Sequence, residues 1–175
     1  MGVVITKPSD WETEEFLVRE EKYGDWMEVV VSTQGSAIKL KINSSFEAMA
    51  YTWGSCGEDV DWRTWLLDTD FQYFMKKMFG RGYRQFSYEK TVQCLREAAM
   101  EQHDFSKLDE VMEIFDEIDE DMGEHEMLNW IQGHLDIFGY DDWWHLLCQE
   151  DRPDLRAFWT ELWRPFIEGV QTCST

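Results

Sequence analysis

Asp109, Glu113, Asp116 and Glu120 fall four, three and four residues apart. On a helix rising ~1.5 Å per residue, that spacing sets their carboxylates along one face about 5–6 Å apart. A ladder of this kind offers no activated nucleophile. What it offers is a row of fixed negative points, at intervals comparable to the phosphates along one strand of duplex DNA. A protein groove that receives phosphates on Lys and Arg is its natural complement. Glu110, Glu117, Asp121, Glu124 and Glu126 widen the patch, and Asp141 with Asp142 continues it on the next helix.

The ladder sits in a strongly biased stretch. Glu101 to Asp151 holds seventeen Asp and Glu against one basic residue, Lys107, so about -16 of the formal net charge of -20 lies there. Like charges repel in the compact state, so such a block does not serve folding and points to a partner with a positive surface. Two blander readings stand beside it. The face of an amphipathic helix opposite Leu108 and Phe115 has to be polar anyway, although a merely solvated face normally mixes signs with Lys placed four residues after Glu. Internal pairing with the band Lys76, Lys77, Arg81, Arg84, Lys90 and Arg96 would hide part of the ladder.

The elements that must position these groups follow from periodicity. The spacing predicts a short helix from an Asp10 N-cap through Glu21. A β-hairpin runs from Trp26 to Ile42 around Gln34-Gly35-Ser36, with Ile38, Leu40 and Ile42 alternating with Lys39 and Lys41, so that one face is buried and the lysine face is wet. Phe46 to Trp53 adds a third strand. Helices are expected at Asp61 to Leu67, at Asp70 to Phe79 ending on Gly80, and from a Ser87 cap to about Glu101. Leu108, Val111, Met112, Phe115, Ile118 and Met122 recur at three and four residues and predict a helix over Ser106 to Met122. Shorter helices follow at Glu124 to Asp136, Asp141 to Gln149 and Pro153 to about Glu168. The architecture is α+β, a small N-terminal antiparallel sheet packed against a mainly helical C-terminal part. A single domain spanning 1–175 is expected, with about 1–57 β-containing and about 58–170 helical.

Ten Trp in 175 residues is a high count, and Trp concentrates binding energy in interfaces. Phe158, Trp159, Leu162, Trp163 and Phe166 lie at helical spacing and read as core packing. Trp143 and Trp144 are adjacent and point about 100° apart on a helix, so one ring is a candidate exposed anchor for a partner.

Enzyme readings find little support. His103, His125, His134 and His145 form no HExxH or comparable ligand spacing, and no GxSxG, P-loop or Cys–His signature occurs. Asp119 to Gly123 resembles a calcium loop only loosely, its glycine one place early. No catalytic residue, metal ligand or cofactor is therefore assigned. Cys56, Cys94, Cys148 and Cys173 are far apart, without a CxxC pair, and read as free thiols in a reducing cytoplasm. No run of eighteen apolar residues occurs, and the Met1–Thr6 match to an N-myristoylation pattern sits on a chain that anionic lipid repels.

The segment Tyr51-Thr52-Trp53-Gly54-Ser55-Cys56-Gly57, followed by Trp65-Leu66-Leu67 and Phe71-Gln72-Tyr73-Phe74-Met75-Lys76-Lys77, resembles small accessory proteins of tailed phages and prophages over roughly residues 45–100. The resemblance implies context: such proteins often disarm host restriction, CRISPR or recombination enzymes. It does not reach the acidic block. Together, residues and resemblance lead to the expectation of a non-enzymatic cytoplasmic inhibitor that occupies the basic nucleic-acid groove of a host enzyme, a DNA mimic in effect, binding neither nucleic acid nor membrane itself. An immunity-type module that neutralises one basic protein by shape, and a carboxylate-based metal hydrolase, remain alternatives.

Overall fold

The computed structural model describes residues 10–57, 61–102, 113–138 and 143–172. They divide into two compact units, and the division is not collinear. The first combines the chain up to Tyr83 with the chain from Arg152 onward, and the second is Arg84–Asp151.

In the first unit, strands β1 (Glu12–Arg19), β2 (Trp26–Gln34), β3 (Ala37–Ser44) and β4 (Met49–Trp53) form an antiparallel sheet in the order β1-β2-β3-β4. The hairpin forms around Gly35 and Ser36, with Gln34 facing Ala37 across the turn. Gly35 has φ +57°, a conformation that costs glycine nothing and other residues something. Register places Val29 opposite Ile42 and Val31 opposite Leu40, so the apolar positions of the two strands share one buried face. Lys41 is exposed and Lys39 half-buried on the other.

β1 corrects the helix expected from Asp10 through Glu21. Its inward positions are Glu12, Glu14, Phe16 and Val18, because Phe16 pairs with Val29 and Val18 with Met27. Two glutamates thus occupy core-side positions and mask the period of two. Glu14 is satisfied there: its carboxylate accepts the indole N–H of Trp62 at 3.0 Å and pairs with Arg63. The remaining glutamates suit an edge strand, where charge discourages further pairing.

Helices α1 (Trp62–Asp68) and α2 (Phe71–Phe79) form as expected. Asp61 accepts the Thr64 N–H at 3.2 Å and Asp70 the Tyr73 N–H at 2.8 Å, and Gly80 at φ +62° ends α2. The sheet face is closed from the far end of the chain. Pro153 opens α6 (Pro153–Ala157), which runs through a π-helical stretch, Phe158–Trp163, into α7 (Arg164–Thr172). In an α-helix, residues five apart point about 140° away from each other. The wider π turn brings them together, so Phe158 and Trp163 stack with centroids 6.5 Å apart and planes 25° off parallel. Phe158, Trp159, Leu162, Trp163 and Phe166 are all buried, as expected, and Trp163 also meets Phe74 at 4.6 Å.

The second unit begins and ends on a two-stranded antiparallel ribbon, β5 (Arg84–Phe86) with β6 (Gln149–Asp151). Between them lie α3 (Tyr88–Gln102), a helical turn at 113–115, α4 (Glu124–Gly133), α5 (Leu135–Phe138) and a 3₁₀ turn, Trp143–Leu146. The helix expected over Asp141 to Gln149 is therefore not formed in its described part, because Gln149 is drawn into the β5–β6 ladder. The helix expected from Glu124 to Asp136 breaks at His134, whose ring Nδ1 donates to the Trp130 carbonyl at 2.8 Å. The fold class is α+β.

Two outcomes are expected. Trp163→Ala, at a fully buried position, should lower stability by about 3–5 kcal/mol in denaturant unfolding. Replacing Arg84–Asp151 with a short Gly-Ser linker should leave a cooperatively melting first unit, because the Arg152 N–H already bonds the Tyr83 carbonyl at 3.0 Å and the linker closes a negligible gap. A melt without a transition would count against this division of the chain.

Candidate functional site

The second unit carries most of the protein's charge. Arg84–Asp151 contains nineteen Asp and Glu against four Lys and Arg, a net of -15, and the rest of the chain accounts for the remaining -5. Leu95, Ala98, Ala99, Phe115, Met127, Trp130, Ile131, Ile137, Phe138 and Leu146 form its core. The candidate site is the exposed turn that crosses this core between residues 113 and 126.

Phe115 anchors the turn. It is buried against Trp130 at 5.6 Å and Phe138 at 6.4 Å between ring centroids, with the Arg96 guanidinium 5.9 Å from its own ring. Beyond it the regular helix stops. Asp116, Glu117 and Ile118 bond back three residues, to Glu113, Ile114 and Phe115, at 3.2–3.3 Å, and residues 116–122 continue as turns. Asp119 then uses its own carboxylate to accept the Asp121 N–H at 3.1 Å, and its carbonyl accepts Met122 N–H at 3.0 Å. Gly123 starts α4, where Glu126 accepts the Gly123 N–H at 2.9 Å.

The carboxylate ladder is thereby corrected. Of its four rungs, Glu113 sits on the helical turn, Asp116 and Glu120 sit in the turns that follow, and Asp109 lies outside the described residues. Two physical reasons end the helix. Glu113 and Glu117, and Asp116 and Glu120, are like charges at i,i+4, each pair destabilising a helix by a few tenths of a kcal/mol. Asp119 also offers the backbone a competing acceptor, as short carboxylate side chains do.

Other expected site residues divide as follows. Glu110, Asp141 and Asp142 lie outside the described residues, while Trp143 and Trp144 lie in the 3₁₀ turn rather than on a regular helix. Glu124 and Glu126 are exposed in the first turn of α4, where the helix dipole favours them. Glu117 comes within 3.9 Å of His134 Nε2. Glu113, Asp116, Glu120 and Asp121 are exposed, and among the described residues no Lys or Arg comes within ion-pair distance of them.

The described basic residues of this unit, Arg84, Lys90 and Arg96, are engaged elsewhere. Lys90 pairs with Glu150 at 3.0 Å, and that hydrogen bond holds the Glu150 carboxyl below its ordinary value. Arg84 donates to the Gln149 carbonyl at 2.8 Å, and Arg96 lies over Phe115. Lys90 thus pairs at the end of the block, and among the described residues no Lys or Arg covers Glu113, Asp116, Glu120 or Asp121. The turn's field is felt inside the unit: burial first, then the Glu120 and Asp119 carboxylates push the Tyr88 phenol above its ordinary 10.0, against the opposing pull of Arg96. No group of three or more His, Cys, Asp and Glu among the described residues is arranged to hold a metal ion.

Sequence spacing missed one pairing altogether. Cys94 and Cys148 approach to 2.8 Å between sulfurs, although 54 positions separate them.

If the turn charges act on Tyr88 as described, Glu120→Gln with Asp119→Asn should shift its ultraviolet phenolate titration downward. A raised phenol contributes stability that is complete below its unfolded value and lost as pH rises through the folded one. The wild-type chain should therefore lose stability as pH rises from about 10 through the raised folded value, and the double variant, whose folded value is lower, should lose less. An unmoved titration would show that the turn lies farther from Tyr88.

No curated protein matches the chain, and neither does any solved structure. A family model described as a phage family matches residues 4–170, covering the acidic block as well as the segment around Tyr51 to Lys77. With nearly the whole chain matched, both units included, the protein belongs to this phage family.

Proposed function

We propose that the protein is a phage-encoded acidic inhibitor, acting by binding rather than catalysis, that occupies the positively charged nucleic-acid groove of a host defence or nucleic-acid enzyme in the host cytoplasm. One observation carries the reading: four exposed carboxylates, Glu113, Asp116, Glu120 and Asp121, without a described cationic partner, on a folded unit of net charge -15. A solvated face needs neither this excess of one sign nor its confinement to one unit. A field of this size raises encounter rates with a basic groove and competes with nucleic acid for it. The broken ladder changes the form of the mimicry. Charge density, rather than a helical repeat in register with phosphates, is what the partner's Lys and Arg would meet.

A second reading rests on a different surface. Leu17 and Tyr23 are 57% and 66% exposed, and Leu17 lines a groove of about 510 Å³ with Arg19, Glu20, Gly24, Trp26 and Glu28 on the first unit. Apolar anchors there suit a module that neutralises one cognate basic protein by shape, with the acidic unit supplying on-rate.

A pull-down from host lysate, at low and high salt and with or without duplex DNA, separates the two. The inhibitor reading expects a nucleic-acid enzyme that salt or DNA releases. It also expects that Glu113→Gln, Asp116→Asn, Glu120→Gln and Asp121→Asn together weaken capture at least tenfold and flatten its salt dependence. A partner that survives both treatments, is indifferent to those four changes and is lost on Leu17→Lys would overturn it in favour of the second.

A further inference from the structure

Cys94, on the second turn of α3, and Cys148, the residue before β6, are brought together by backbone rather than by chance rotamers. The Cys148 N–H donates to Thr91 Oγ1 at 2.9 Å, and its carbonyl accepts the Ser87 N–H at 3.0 Å. Thr91 is fully buried, and Lys90 grips Glu150 two residues further on at 3.0 Å. Cys148 is therefore clamped against the start of α3 on both sides, and its sulfur is delivered to the next turn, 2.8 Å from that of Cys94. Both side chains are only half-buried, so small thiol reagents can reach them. Cys148 Sγ also lies 3.5 Å from the Leu146 carbonyl.

We propose that Cys94 and Cys148 form a reversible dithiol–disulfide pair, oxidised by a small disulfide of the glutathione type, whose closure staples the ends of the acidic segment to one another. In the first step the Cys94 thiolate attacks one sulfur of the oxidant, forming a mixed disulfide and expelling one thiolate. In the second, Cys148 loses its proton and attacks the Cys94 sulfur, forming the internal bond and expelling the other thiolate. Two electrons and two protons pass from the protein to the oxidant, which leaves as two thiols.

The closed loop runs from 94 to 148 and contains sixteen of the second unit's nineteen carboxylates, all but Glu89, Glu150 and Asp151. Cross-linking it restricts the unfolded chain, which is where a charge-repelled unit gains most from a constraint. Burial, then the adjoining Cys94, pushes the Cys148 thiol up to about 11. The second step should accordingly quicken as pH rises toward that value, about tenfold per unit, as the thiolate fraction grows.

The test uses the full, pre-reduced chain incubated with oxidised glutathione, then alkylated and mapped by mass spectrometry. The wild-type chain should yield a peptide pair joining Cys94 to Cys148, lighter by two hydrogens and restored by dithiothreitol, with a melting midpoint raised by the order of 10 °C. Cys148→Ser should instead retain glutathione on Cys94. Both thiols remaining open to alkylation, glutathione persisting on Cys94 of the wild-type chain, or preferential linkage of Cys148 to Cys56 or Cys173 would each overturn the proposal. The wild-type map decides the matter even where a serine variant folds poorly.

Discussion

The fold depends on a return of the chain at Arg152. The inner face of the sheet is covered in large part by Leu155, Phe158, Leu162, Trp163, Phe166 and Ile167, which follow a 68-residue excursion. That burial is available only if the excursion ends where it began, and Arg152 meets the condition with several bonds at once. Its N–H reaches the Tyr83 carbonyl at 3.0 Å, and its guanidinium contacts Asp154 at 2.6 Å, Glu47 at 3.0 Å and the Gly82 carbonyl at 3.4 Å. The pair with Asp154 holds that carboxyl below its ordinary value of 3.8, chiefly through the Arg152 hydrogen bond. A depressed carboxyl contributes stability above its unfolded value and loses it as pH falls through the folded one, so the junction weakens only in acid. Closing a long loop by its ends costs little more than closing a short one, which is why so large a segment can be carried at this point.

Confining the charge to the inserted unit has a structural consequence. Self-repulsion disfavours any regular array that brings carboxylates into register, and residues 116–122 yield by leaving the helix for three-residue turns while Phe115 stays in the core. The charge density on which the proposed binding to a basic partner rests is thus the one that disfavours a helical repeat of carboxylates. Packing wins at Phe115 because an aromatic ring buried among Trp130 and Phe138 contributes more than the several like-charge pairs cost together.

Legibility in the sequence follows the same balance. The hairpin, α1, α2, α3 and the aromatic C-terminal run were readable because one force set each: alternation with a Gly35 turn, Asp caps at positions 61 and 70, a 3–4 spacing of large apolar groups. β1 was not, because Glu14 takes a core-side position by bonding Trp62 and Arg63, partners 48 and 49 residues away. The helix to Met122 was overread because its apolar stripe, Phe115, Ile118 and Met122, is real but is satisfied by turns as well as by a helix. The acidic character of the site was plain from composition. Its shape was not, since that depends on which carboxylates bond to backbone, as Asp119 and Glu126 do, and which are left outward. The nearness of Cys94 and Cys148 had no sequence signal, because it is produced by strand β6 pairing with β5 across the whole unit.

A unit under this repulsion still needs something to organise it, and α3 has that position. Its successive turns each hold a different part of the unit: Lys90 and Thr91 take the strand end at Glu150 and Cys148, Cys94 meets the Cys148 sulfur, Arg96 covers the Phe115 ring, and Tyr88 approaches the Ile118 carbonyl at 3.5 Å. Most of these tethers are polar, so they hold place without the large apolar area that a 68-residue segment of net charge -15 is short of. The start of the exposed acidic turn, at Phe115 and Ile118, is therefore referred to one 15-residue helix. In the proposed reading, a partner cation drawn to Glu120 would act beside Tyr88 on the first turn of that helix, and the proposed bond between Cys94 and Cys148 would act on the second. The proposed electrostatic engagement and the proposed disulfide would thus both act on α3.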